Sequence, residues 1–441
     1  MRGQNWLIII VVVCLSLGYL FWRQYRLPFV KLAEEIQAIK AAGEPASYEE
    51  IVPPIPSSLN AATVYQQAIK ALPKFSEDEQ MILDNFSAGR PTDKTKVRRL
   101  LKRCRKVFEL TKQASQLPNA RWVKFQPYPY NTEFRHISPL RSLMRLLRTK
   151  ALLHIQDGEA EKALEECITL LRMAQHLDEE PFGIHVWHIT LAFKFTSDVV
   201  QCAYSSKDIL LQQTRQLLQL VSAWDGDRTL VRLLQLELVL QMQSFDYLRS
   251  SPELAREFSL IWSEGCDIYY GRNIAGWMQP LERQLAINEL IVLRFDLRLL
   301  EIARKGEPYD WEAFKKLDEF AQRVKTTGIV FRHPSWLKGF AFQPLAIAGE
   351  ILWPSGLRAE GNLPETASSF ERIAETKAYQ RLMQTALALS LYRREHGSYP
   401  KSLSALVPRL LPDLLKDPFD GKPLRYRCGG KVSRCGVSVV T

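Results

Sequence analysis

Apolar residues recur at intervals of three and four over most of the chain, the spacing of one face of a helix. A helix over 59–72 carries Ala61, Ala62, Tyr65, Ala68, Ile69 and Leu72 on such a face, with Ser57 or Ser58 as its expected cap. Thr92 or Asp93 opens the next, which runs to Leu117 on a stripe of Val97, Leu100, Leu101, Cys104, Phe108 and Thr111. A helical hairpin follows. Its first arm carries Leu140, Leu143, Met144, Leu147, Ala151 and Ile155, Gln156-Asp157-Gly158 turns the chain, and Ala163, Leu164, Cys167, Ile168, Leu171 and Ala174 mark the second arm. Further helices are expected over 181–203, 208–224, 227–248, 252–263, 280–305, 310–324 and 365–396. The 227–248 segment is apolar nearly all round and suits a buried central helix, with Asp227 as its cap. The expected class is therefore mainly α: a helical bundle or irregular array of helical hairpins.

Residues 6–22, WLIIIVVVCLSLGYLFW, hold no charge. As a helix they span about 25 Å, close to the hydrocarbon thickness of a bilayer. Trp6, Tyr19 and Trp22 suit the interfacial belts. Leu20-Phe21-Trp22-Arg23 offers no small residues for signal cleavage, and Val13 before Cys14 excludes a lipoprotein signal. The expectation is an uncleaved transmembrane anchor, with the lipid bilayer as partner through residues 6–22. Leu27-Pro28 is expected to break this helix. The chain then divides into an anchor (1–26), a stalk and linker (27–56), a helical domain (57–325), a Gly/Pro/aromatic-rich connector (326–364) and a small C-terminal α+β unit (365–441).

With 46% hydrophobic and 24% charged residues the chain folds rather than staying disordered. Seven dispersed cysteines without a CxxC pair argue against a disulfide framework. The net charge of +11 is concentrated: residues 93–151 hold sixteen Lys/Arg against Asp93, Glu109 and Glu133, leaving −2 for the rest. Lys94, Lys96, Arg98, Arg99, Lys102, Arg103, Arg105 and Lys106 are thus the candidate binding surface, for an anionic lipid or another polyanion. Arg121, Trp122, Lys124, Phe125, Tyr128 and Tyr130 extend it with aromatics, a mixture that suits single-stranded nucleic acid. The bland alternative is a solvated helix face paired with acids elsewhere.

For catalysis the candidates are His185 and His188, one helical turn apart, with His176, Asp178, Glu179 and Glu180 upstream. They point to a metal-dependent hydrolase, although no Glu stands between the two histidines as in HExxH, and core packing is the heavier reading. Asp225-Gly-Asp227 lacks the remaining ligands of a calcium loop. With no GxSxG, P-loop or GxGxxG, no catalytic residue and no cofactor are assigned.

Three resemblances add to this. GEAEKALEECITLL (158–171) resembles the turn and second helix of a tetratricopeptide repeat, with Gly158, Ala163 and Cys167 at its turn and packing positions. No second copy recurs at the period of about 34 residues, so the likeness covers one hairpin. Residues 386–427, with His396-Gly397, Tyr399-Pro400, Asp417-Pro418-Phe419 and Gly421-Lys422-Pro423-Leu424-Arg425-Tyr426, resemble the soluble part of type II secretion major pseudopilins. The prepilin junction is missing, so assembly into a pseudopilus is not implied. The layout, with Pro56 and Asn60-Ala61-Ala62…Tyr65, is similar to a set of bacterial membrane-anchored helical proteins. That resemblance implies a single pass through the bacterial inner membrane with a periplasmic bulk. The expected function is a scaffold or protein-interaction module of the cell envelope with an unidentified protein partner. Its alternatives are the hydrolase and a cytoplasmic-facing polyanion or nucleic-acid binder through 94–130.

Overall fold

The computed structural model describes residues 2–123, 133–204, 211–251, 281–317, 319, 366–428 and 433–436. The expected helix at 252–263, the connector, and Lys124, Phe125, Tyr128 and Tyr130 lie outside them. The described chain is mainly α-helical, as its periodicity requires.

Helix α1 runs unbroken over Arg2–Ala41, with Pro28 inside it. Proline removes one helical hydrogen bond. Packing compensates: Leu32 and Ile39, with Phe29 and Ile36, bury against helix α12 (Leu281–Lys305) and against Leu238 and Met242 of α11 (Gly226–Ser250). Arg294 reaches Glu35 at 2.8 Å, and Arg304 reaches the buried Glu44 at 2.9 Å. The transmembrane reading of residues 6–22 is corrected here, because among the described residues no helix is long and apolar enough to cross a membrane. The exposed apolar stretch Val11–Leu20 passes within the same helix into Arg23, Arg26, Lys31, Glu34 and Glu35, on a segment docked to α12. The single-pass inner-membrane placement, with its periplasmic bulk, is withdrawn with it.

The short α2 (Tyr48–Ile51) leads to α3 (Ala61–Lys70). Asn60 caps α3 by accepting the Ala62 N–H, whereas the expected caps Ser57 and Ser58 lie in a 3-10 turn. Ala61 and Ala62 are fully buried, and their small side chains let α3 pack closely on α6 (Arg105–Ser115). Sequence periodicity passes over α4 (Glu77–Ser87), although Ser76 and Glu79 form a capping box there. The long basic helix divides at Cys104 into α5 (Lys94–Arg103), capped by Asp93, and α6. The bend keeps Val97, Leu100 and Leu101 on one side of it, and Val107, Phe108 and Thr111 on the other, in the same core.

Helices α7 (Ile137–Gln156) and α8 (Ala160–Asp178) form the expected hairpin. Its turn needs Gly158, which adopts φ +77°. Helix α9 (Gly183–Ala203) packs on both arms, and α13 (Thr366–His396) packs on α9. Helix α10 (Leu211–Ala223) lies against α8 and α13. One continuous core links these elements through Leu140, Met144, Leu164, Phe193, Leu230 and Phe370, each contributing about 1.5–3 kcal/mol by burial. Phe370, Ile373 and Leu387 of α13 belong to that same core.

After α13, Gly397 reverses the chain at φ +74° and Gly421 turns it again at φ +70°. Strands β1 (Arg425–Cys428) and β2 (Ser433–Gly436) pair antiparallel, with Tyr426 opposite Cys435. The Tyr426 hydroxyl donates to the Pro400 carbonyl at 2.8 Å. The described strands amount to this ribbon, so the expected α+β unit is present only as a helix, a 3-10 turn and two strands.

Candidate binding cleft and buried histidine cluster

Three of the eight predicted basic residues, Arg98, Lys102 and Arg105, line one wall of an open cleft of about 890 Å³ between α5–α6 and α7–α8. Leu101, Phe108 and Leu153 form its apolar part, and Arg98, Lys102, Arg105, Lys112 and Lys150 its cationic part. Glu109 adds an acid to the α6 wall, and Asp157, Glu159 and Glu166 bring acids from the α7–α8 turn and α8. Local chemistry places the cations: the buried stripe of α5 and α6 faces the core, so every Lys and Arg between its positions is turned outward.

Of the eight predicted binding residues, four are held by acids from other turns or elements. Arg98 pairs with Asp157 at 2.6 Å and Lys94 approaches the same carboxylate at 3.8 Å. Arg103 pairs with Glu79 at 2.6 Å and lies over the Phe75 ring, while Arg105 pairs with Glu109 at 2.8 Å. Lys96, Arg99, Lys102 and Lys106 are exposed. The aromatic extension does not form at its described end. Trp122 is buried between Tyr65 and His136, with ring centroids at 5.2 and 5.1 Å, and Arg121 pairs with Glu179.

The two candidate metal ligands are committed elsewhere. Nδ1 of His185 donates to the Glu180 carbonyl at 2.6 Å, since a carbonyl only accepts. Its Nε2 therefore holds the lone pair and accepts from Nε2–H of His136 at 2.9 Å. Nδ1 of His188 donates to the Ile184 carbonyl at 2.8 Å, and its Nε2 faces Nε of Arg141 at 3.4 Å. Among the described residues no group of three or more His, Cys, Asp or Glu is placed to hold a metal ion. Burial, helped by the neighbouring imidazole, pushes His185 down to about 3, and burial with His188 nearby pushes His136 down to about 4.

Both imidazoles are therefore neutral near pH 7, and the sign of the linkage follows. A lowered pKa contributes stability that is present above the unfolded value of 6.5 and is lost as pH falls through about 4 and then about 3. In proton–carbon correlation spectra the His136 and His185 ring signals should stay those of neutral imidazole from about pH 8 down to about pH 5. Midpoints near 6.5 for both would contradict this burial.

Sequence reasoning named Glu180 only as an upstream carboxylate; in the fold it is a fully buried hub. Its side chain accepts the Trp122 N–H at 2.9 Å and the Tyr48 hydroxyl at 3.2 Å, and the Val123 N–H also bonds to it. Burial pushes its carboxyl up to about 7 against those donors and Arg121. Glu179 accepts the Ala120 N–H at 3.2 Å, and Asp178 accepts the Thr229 hydroxyl at 2.6 Å. Arg232 closes the assembly by donating to the carbonyls of Ile51, Asp178 and Glu179. The signal was available: three acids at a helix C-terminus oppose the macrodipole, so tertiary partners must hold them there.

Lys377, wholly unflagged by sequence, is 3% exposed. Its Nζ lies 2.6 Å from Asp227 and 2.8 Å from Glu307, which also pairs with Arg381 at 2.6 Å. The Tyr309 hydroxyl donates to Asp227 at 2.5 Å. Asp225, not Asp227, caps α11, and this leaves Asp227 to the ion network. Gly226 makes room for it, since a Cβ there would meet the Lys377 stem at 3.0 Å. Asp296 on α12, a further buried acid, has no hydrogen-bond partner among the described residues and is raised well above the usual carboxylate range by burial and by Glu237.

Compared with protein-family models, with curated proteins and with solved structures, the chain matches none.

Proposed function

We propose that the chain is a helical interaction module that takes up a polypeptide segment of a partner protein in the cleft between α5–α6 and α7–α8. The observation that carries this reading is the cleft itself. Its volume of about 890 Å³ and its mixture of apolar Leu101, Phe108 and Leu153 with charged edges fit a few side chains of a bound segment. The resemblance of 158–171 to a tetratricopeptide hairpin points the same way, and Glu159, Glu166 and Thr169 of that stretch line the cleft. Less speaks for the hydrolase, whose two histidines are spent on main-chain carbonyls, on His136 and on Arg141.

Peptides selected from a displayed library on the whole chain test this. They should crosslink to a photoreactive residue installed at Glu109, on the cleft edge, and compete with one another for it. Failure to enrich any peptide, or crosslinking only from a control position at Arg372 beside Trp187, would contradict the proposal.

A further inference from the structure

We infer that the segment bound is an acidic amphipathic helix whose carboxylates meet Arg99, Lys102 and Lys106, with Lys96 at the end of the row. This rests on the reading of the cleft above and names the chemistry of its occupant.

The cations of α5 and α6 fall into two sets. Lys94 and Arg98 pair with Asp157 of the α7–α8 turn, and Arg103, Arg105 and Lys112 pair with acids of α4, α6 and α8 respectively. Lys96, Arg99, Lys102 and Lys106 are exposed and make no ion pair with a described residue. Asp93, which caps α5, lies near Lys96 without pairing with it. Within α5, Lys96, Arg99 and Lys102 follow at intervals of three residues, which places neighbours ~5–6 Å apart on a helix surface, and Lys106 continues the set on α6 beyond the bend at Cys104. Like charges at that spacing repel, so the ridge destabilises the isolated chain, and a ligand with carboxylates removes the repulsion.

Lys102 belongs to both the ridge and the cleft wall, beside Leu101 and across from Leu153. A ligand held by the ridge therefore also reaches the apolar part of the cleft. Glutamates at helical spacing on one side, and leucines or similar residues on the next, meet both surfaces at once. A phosphodiester strand matches the charge row but requires exposed aromatic platforms for its bases. Among the described aromatics here, Phe108 is buried beneath Lys150, Phe75 lies under Arg103, and Trp122 is stacked between Tyr65 and His136.

The test uses the whole chain and fluorescence anisotropy with three probes. They are a 16-residue (about four-turn) alanine-based peptide with Glu and Leu at i, i+3, i+4 spacing, its Glu→Gln counterpart, and a thymidine oligonucleotide of similar length. The variant is Lys96→Gln/Arg99→Gln/Lys102→Gln/Lys106→Gln, with Lys94→Gln/Arg103→Gln as the control that removes two paired cations outside the cleft lining. The natural chain should bind the Glu peptide about tenfold tighter than the Gln peptide at low salt, and the preference should shrink as salt rises. The ridge variant should lose that preference while melting at the same or a higher temperature, and the control should keep it. If the ridge variant still prefers the Glu peptide, the inference falls while the cleft reading stands. If the natural chain binds neither peptide, the cleft reading falls as well. Tighter binding of the oligonucleotide than of the Glu peptide would replace the peptide with a nucleic acid.

Discussion

Glu180→Ala should lower the unfolding free energy by about 3–5 kcal/mol, measured by urea or thermal melts against the natural chain. The side chain is fully buried, and its loss leaves the Trp122 N–H, the Val123 N–H and the Tyr48 hydroxyl without their acceptor. Each unsatisfied buried donor costs about 1–3 kcal/mol, and the sum is tempered by relaxation of the 116–123 segment. That segment keeps the Ala120 and Arg121 contacts to Glu179, so it should loosen at Trp122 first. Glu180→Gln retains a carbonyl acceptor and should cost less. Its gap to the natural chain should also narrow as pH rises. A carboxyl raised to about 7 contributes stability that is full below the unfolded value of 4.5 and is lost through about 7. Equal gaps at about pH 5 and about pH 8 would contradict the burial of this acid.

Lys377→Met should cost about 3 kcal/mol, close to what breaking a buried ion pair costs elsewhere. Asp227 and Glu307 both lose a partner within 2.8 Å, but the loss is limited because Tyr309 still serves Asp227 and Arg381 still serves Glu307. The side chain of Asp227 is 41% exposed, which sets the figure below that of a fully enclosed pair. Adding Asp227→Asn should recover part of the loss in a double-mutant cycle. Two independent, additive losses would mean that the network stores no coupling between α11 and α13.

The hairpin α7–α8 was legible because everything that makes it is local: two apolar stripes of matching period and a turn ending in a glycine with φ +77°. Helix α4 was also legible in principle, since Ser76 and Glu79 spell a capping box three residues apart. Other features depend on distant partners. Asn60 displaces Ser57 and Ser58 as the cap of α3 because its side chain also donates to the Arg121 carbonyl and accepts the Arg121 N–H. Tyr65, in the same short motif, is fixed by Nδ1 of His176 at 3.1 Å. Pro28 was read by its local rule as a helix end, yet packing of Leu32 and Ile39 against α12 carries the helix through it.

The candidate site divides in the same way. A sequence shows how many cations a helix carries, and the sixteen Lys/Arg of 93–151 were plain to see. It does not show which of them a folded neighbour has neutralised. Asp157 takes Arg98 and Glu79 takes Arg103 across 59 and 24 residues, and only the fold sorts the ridge from the paired flank. The spacing of His185 and His188 left a metal pair as the lighter reading beside core packing, and the backbone carbonyls about one turn before each take their Nδ1–H groups. Glu180 gathers Tyr48 and Trp122 from 132 and 58 residues away, a convergence that no window of the sequence contains.

Hydrogen–deuterium exchange of the whole chain, with and without a peptide selected on it, tests most directly that the cleft is where a partner binds. The account predicts added protection in α5, α6 and around the α7–α8 turn, over residues 94–115 and 150–160, with α12 and the second half of α13 unchanged. Protection confined to α9, α12 or α13 while the peptide is bound would contradict it.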